Sequence, residues 1–105
     1  MSTLAIEIRT ALAENVSVTD DSLIVDLDDG RTISVPLAWF PRLLHGTAEE
    51  RSNWRLIGKG EGIHWPDLDE DISVESVLFG RPSGESQRSF RRWLENRLKS
   101  QPVLG

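Results

Sequence analysis

The residue types best suited to chemistry fall in one block, His64-Trp65-Pro66-Asp67-Leu68-Asp69-Glu70-Asp71. Alternate carboxylates suit a hard cation such as Ca²⁺ or Mg²⁺, which takes oxygen ligands. A calcium loop also needs a glycine at its sixth position and a bidentate glutamate at its twelfth, and neither is present. The pattern favours a structural reading: Asp67 and Asp69 bond local backbone N–H groups in a tight loop, or cap the turn that follows. His64 beside these acids has the chemistry of a general base. No serine, threonine or cysteine near it stands in a nucleophile motif. His45 and His64 are the two histidines, and cysteine is absent, whereas zinc takes three or four protein ligands. No metal, no cofactor and no enzymatic activity are expected, and His64 reads as a half-buried strand residue.

Two further features invite a functional reading. Gly58-Lys59-Gly60-Glu61-Gly62 is glycine-rich, but a phosphate loop would end in Gly-Lys-Ser/Thr and open a helix. Here Ile63-His64-Trp65 follows, a strand pattern, so the segment reads as a turn. The chain also has four tryptophans. Trp39, Trp54 and Trp65 sit among apolar neighbours and are expected in the core, or in a core extended across a dimer interface. Trp93 stands next to Arg91 and Arg92 on a basic helix, and Trp and Arg are enriched in binding hot spots. Arg88, Phe90, Arg91, Arg92 and Trp93 are therefore the candidate partner-binding residues. The competing reading is that this helix packs on its own domain, with Phe90, Trp93 and Leu94 filling a groove there.

The elements that position these residues follow from periodicity. Leu4, Ile8 and Leu12 recur at a spacing of four, which predicts a short amphipathic helix over 3–13, ended by Asn15. Val16 and Val18, then Leu23, Val25 and Leu27, then Ile33 and Val35 alternate with polar residues, the period of half-buried strands. Asp29-Gly30 predicts a type I′ hairpin turn, and Asp20-Asp21-Ser22 a second turn. Strands are expected near 15–19, 23–28 and 31–35. Pro36 and Pro41 limit Leu37–Phe40 to a short helical turn. Thr47-Ala48-Glu49-Glu50 is a capping box that opens a helix over 48–53. Trp54, Leu56 and Ile63, Trp65 flank Lys59-Gly60 as a second hairpin candidate, and Ser73 caps a short helix over Val74–Phe79. Arg81-Pro82-Ser83-Gly84 reads as a linker. Beyond it, Phe90, Trp93, Leu94 and Leu98 form one stripe of a helix that stops before Pro102. The predicted class is α+β: a small antiparallel meander with short helices packed on one face, plus N- and C-terminal helices. One domain is expected over 1–80, with linker and basic helix over 81–105.

Charge divides the chain in the same way. Residues 1–80 carry 6 Lys/Arg against 15 Asp/Glu, and residues 81–105 carry 6 against 2. An acidic body repels phosphates, which disfavours nucleic-acid binding except through the C-terminal helix. There is no apolar run of the roughly 20 residues that cross a bilayer, so no membrane contact is expected. The absence of cysteines and of a signal-peptide pattern makes the cytoplasm the expected location.

The stretch from about Val16 to Gly80 resembles domain-of-unknown-function family 2442, a bacterial family. The resemblance is carried by Leu27-Asp28-Asp29-Gly30-Arg31, Val35-Pro36-Leu37-Ala38-Trp39-Phe40-Pro41-Arg42-Leu43 and Thr47-Ala48-Glu49-Glu50-Arg51. Trp54, Gly58 and the block Gly62-Ile63-His64-Trp65-Pro66-Asp67-Leu68-Asp69-Glu70-Asp71-Ile72 complete it. It implies no established activity. Some members are fused to a helix-turn-helix domain after the common region. Others are short proteins encoded beside another small protein, in an arrangement that looks like a toxin–antitoxin pair. One helix after the common region cannot form a helix-turn-helix. The expected function is a non-enzymatic protein-interaction module, an antitoxin-like or accessory component whose partner is the neighbouring gene product. A nucleic-acid-binding regulator acting through the C-terminal helix is the alternative. A homodimer is also expected, because small domains bury little surface and open sheets leave edges.

Overall fold

The computed structural model describes residues 11–99. The helix expected over 3–13 lies largely outside the described residues. Its last position and Asn15 belong instead to strand β1, Ala13–Val18. There Ala13 and Val16 are buried and pair with Leu27 and Val25, so β-ladder pairing overrides the helical spacing.

The first sheet is the expected meander. β1 pairs with β2, Ser22–Leu27, and β2 with β3, Thr32–Pro36, both antiparallel. Leu23, Val25 and Leu27 are buried on one face with Val16 and Val35. The opposite face carries Asn15, Ser17, Asp26, Thr32 and Ser34, as a one-sided antiparallel sheet should. The hairpin at Asp29-Gly30 forms, but not through a type I′ turn. Gly30 has φ +92° while Asp29 does not take positive φ. Its N–H reaches the Leu27 carbonyl and the Leu27 N–H reaches Arg31, so the connection is a three-residue loop with its left-handed residue last.

Between the sheets the chain makes a 3₁₀ turn at Leu37–Trp39 and two short helices, α1 at Pro41–Leu44 and α2 at Ala48–Ser52. Pro41 opens α1, where its missing N–H costs nothing. The capping box of α2 is present in full, with the Glu50 N–H donating to the Thr47 hydroxyl and the Thr47 N–H to the Glu50 carboxylate. Arg51 ties α2 to α1 by donating to the Leu43 and Leu44 carbonyls at 2.8 and 2.7 Å.

A second three-stranded sheet follows, of which only a hairpin is legible in the sequence. β4, Arg55–Ile57, pairs with β5, Gly62–Trp65, which pairs with β6, Glu70–Ser73. The acidic block is thus a tight turn with Asp69 at φ +52° running into a strand, with Ile72 buried. Helix α3, Val74–Leu78, is capped by the Ser73 hydroxyl, as expected. The inner faces of both sheets and the short helices share one core, in which Trp65, Leu23, Leu37, Leu43, Ile63 and Leu68 are fully buried. Trp39 and Trp54 only border that core. A Cβ added at Gly60 (φ +108°) would lie 2.5 Å from the Ala13 carbonyl oxygen, so glycine is required where the second hairpin meets β1. Gly60→Ala is expected to cost about 1–2 kcal/mol from the backbone alone, read as a lower melting temperature. An unchanged melting temperature would refute this contact.

Candidate interaction surface on the C-terminal helix

The connector 81–86 leads to α4, Gln87–Lys99. One face of α4 is seated on the α1–α2 platform. Phe90 stacks on Trp93, with ring centroids 5.6 Å apart, and His45 of the body meets Phe90 edge-on at 5.0 Å. The guanidiniums of Arg42, from the body, and Arg97, from the helix, lie 5.3 and 5.4 Å from the Trp93 ring centroid. Cation–π contacts of this kind strengthen as water is excluded. Of the two readings of this helix left open by its sequence, docking on its own body is the one observed.

Two ion pairs clamp the seat. Arg42 donates from Nε and Nη2 to Glu85 at 2.9 and 2.5 Å, and from Nη1 to the Asp69 carbonyl at 2.8 Å. Glu85 in turn accepts from the Ser89 hydroxyl in the first turn of α4. Arg97 forms a two-pronged pair with Glu50, whose carboxylate also completes the α2 capping box. The arginine hydrogen bonds hold the Glu85 and Glu50 carboxyls below their ordinary range. All four side chains are largely shielded from water, so these pairs are screened less than ordinary surface pairs.

Arg88, Arg91 and Arg92 do not meet the carboxylates of the body; Arg97 and Arg42 do. The reason is rotational. The docked arc runs through Phe90, Trp93 and Arg97, at i, i+3 and i+7, which turns Arg88 and Arg92 to the far side. Leu98, read as part of the covered stripe, is 61% exposed, and Leu94 is half-buried. Outward from the body, Gln87, Arg88, Arg91, Arg92 and Glu95 line a shallow groove. None of the three arginines has a described carboxylate in ion-pair range.

Most of the acid–histidine block serves the second sheet, and its Asp69 and Glu70 also reach the clamp beside Arg42. Asp71 Oδ1 lies 2.5 Å from His64 Nδ1 across the β5–β6 ladder. Asp67 accepts from the Asn53 side chain and not from a backbone N–H as expected, and Pro66 is exposed in the turn. Trp65 donates from Nε1 to the Arg51 carbonyl. Trp54 borders the core, Pro36 is exposed at the end of β3 where it pairs with Ser22, and Asp29 pairs with Arg31 beside Gly30. Among the described residues no three His, Asp or Glu converge as metal ligands, and no helix is long and apolar enough to cross a membrane. The clamp residues Arg42, Glu50, Glu85 and Arg97 were not singled out from sequence. Glu50 was assigned only its local capping role, and its partner is 47 residues away.

A two-sheet α+β domain with a basic helix clamped to one face is the class of protein these features define. The chain belongs to the family described as Protein of unknown function (DUF2442), which it matches over residues 13–83. That span ends at the connector, so α4 lies beyond it. A crystal structure of a protein of unknown function from Rhodospirillum rubrum is similar at a TM-score of 0.64 and 23% identity, covering 75% of this chain and 98% of that one. A solution structure of an uncharacterized protein from Chromobacterium violaceum is similar at 0.59 and 17%, covering 86% and 79%. Both likenesses concern the fold. None of the curated proteins compared with the chain matches it.

Proposed function

We propose that this chain is a non-enzymatic interaction module that captures a protein partner through the outward face of α4. The observation that carries this reading is the groove lined by Arg88, Arg91 and Arg92: three exposed guanidiniums on one side of a seated helix, without carboxylate partners among the described residues. Arginine offers a planar fork that matches carboxylates two at a time, which makes it an effective interface residue. Because Phe90 and Trp93 are engaged with the body, they position this face; they are not partner contacts. The neighbouring gene product, with an acidic surface, is the partner proposed.

The same three arginines favour a second reading, contact with nucleic-acid phosphates, which the acidic body opposes at long range. The test is to titrate the neighbouring gene product and a short DNA duplex separately against the wild type and the variant Arg88→Ala/Arg91→Ala/Arg92→Ala. The protein is expected to bind the wild type, and the triple variant to lose most of that affinity. Each of the three changes alone is expected to alter stability by no more than about 0.5 kcal/mol, because the side chains are exposed. Binding to DNA that weakens steeply with salt, without binding to the protein, would replace the first reading with the second.

A further inference from the structure

The seat that turns the arginines outward contains a half-buried carboxyl, Glu70, with no cation in ion-pair range among the described residues. Glu70 pairs with Trp65 across the second sheet, so its side chain lies on the core side. It is half-buried and lines both clefts beside the connector, one with Phe40, Arg81 and Ser83, the other with Arg42, Glu85 and Ser89. Its hydrogen bond comes from the Asp71 N–H of its own strand, at 3.2 Å. Arg42, the cation that faces it, is engaged by Glu85 and the Asp69 carbonyl. The charged groups around Glu70 are thus Arg42 from α1, Arg81 and Glu85 from the connector, and Asp69 and Asp71 from its own hairpin.

We infer that Glu70 makes the seating of α4 proton-dependent: protonated, it leaves Arg42 to Glu85, and ionised, it becomes a second, poorly solvated anion beside that pair, relieved when the connector lifts and admits water. The consequence for partner capture rests on the function proposed above; the seating itself does not.

The direction follows from proton binding. Burial, partly offset by Arg42, pushes the Glu70 carboxyl up to about 7, from an ordinary 4.5 that exposure would restore. The seated state therefore holds more protons between about pH 4.5 and 7, and raising pH through that window favours lifting. Glu50 and Glu85 act in the opposite sense, since their carboxyls are depressed when seated. Acid below about pH 4.5 therefore weakens the clamp. Seating is greatest between these limits, and its loss toward pH 8 is at most about two orders of magnitude.

Amide hydrogen exchange, corrected for its intrinsic pH dependence, reads this directly at pH 5.5 and pH 8. Protection over residues 87–99 is expected to fall about tenfold or more at the higher pH, while β2 stays protected. In Glu70→Gln, which cannot ionise, the fall should vanish. Equal α4 protection at both pH values in the wild type, or the same fall in Glu70→Gln, overturns the inference. If that variant does not fold, the wild-type Glu70 carboxyl is titrated by NMR: a midpoint above pH 6 supports the inference and an ordinary value overturns it. These measurements need no partner. A pH-independent helix leaves the proposed function standing, and a partner that fails to bind a pH-responsive helix defeats the proposed function alone.

Discussion

Trp65→Ala is expected to remove a large part of the protein's folding stability. Trp65 is fully buried at the centre of the core, and its Nε1 donates to the Arg51 carbonyl at 2.9 Å. Its removal opens a cavity between β5, α2 and the loop that carries Leu68. It also strips a partner from a carbonyl that helps join α2 to the second sheet. Buried Trp→Ala changes cost about 3–5 kcal/mol, against a total stability of about 5–15 kcal/mol for a domain of this kind. Circular dichroism during thermal unfolding checks this, with a fall of 15 °C or more expected. Trp65→Phe, which keeps most of the volume, should recover much of the loss. A variant that melts within a few degrees of the wild type would show that the core is not organised around this ring.

The second large effect is on the seat of α4. Trp93→Ala removes the ring that packs against the core and receives Arg42 and Arg97. Trp93 is half-buried, so a cost of about 2–3 kcal/mol is expected, below that of a full core tryptophan. A 13-residue helix is marginal alone in water. Hydrogen exchange should therefore show residues 87–99 losing protection while β2 and β5 keep theirs. The outward arginines provide the contrast, since exposed charges contribute about 0–1 kcal/mol at most. If Arg88→Ala destabilised the protein as much as Trp93→Ala, the assignment of inner and outer faces would be reversed.

How much of this was legible in the sequence depends on the distance over which each signal acts. The first sheet was read to within a residue or two, because the alternation of Leu23, Val25 and Leu27 is a local signal. The caps at Thr47 and Ser73 were read for the same reason, since each acts over three residues. The β6 strand was hidden: Glu70-Asp71-Ile72-Ser73 has one apolar residue, and its acids look like a loop or a ligand set. Only pairing with β5 reveals it. The Asp29-Gly30 turn was located correctly and its type misassigned, because one residue more in the loop moves the left-handed position from both residues to Gly30 alone. In α4 the apolar stripe was legible. Which arginines the body takes was not, since Arg42–Glu85 and Arg97–Glu50 span 43 and 47 residues. The spacing of Phe90, Trp93 and Arg97 on one arc was the available hint.

The central claim is that α4 is seated by Phe90, Trp93 and Arg97 and recognises a partner with Arg88, Arg91 and Arg92. Calorimetric titration of the neighbouring gene product tests it most directly, into the wild type and into the triple arginine-to-alanine variant, with melting temperatures measured in parallel. The account predicts equal melting temperatures and an affinity about 100-fold or more weaker in the variant, as expected when several interface arginines each contribute more than about 1 kcal/mol. A wild type that does not bind, or a variant that binds within threefold of it, would contradict the claim.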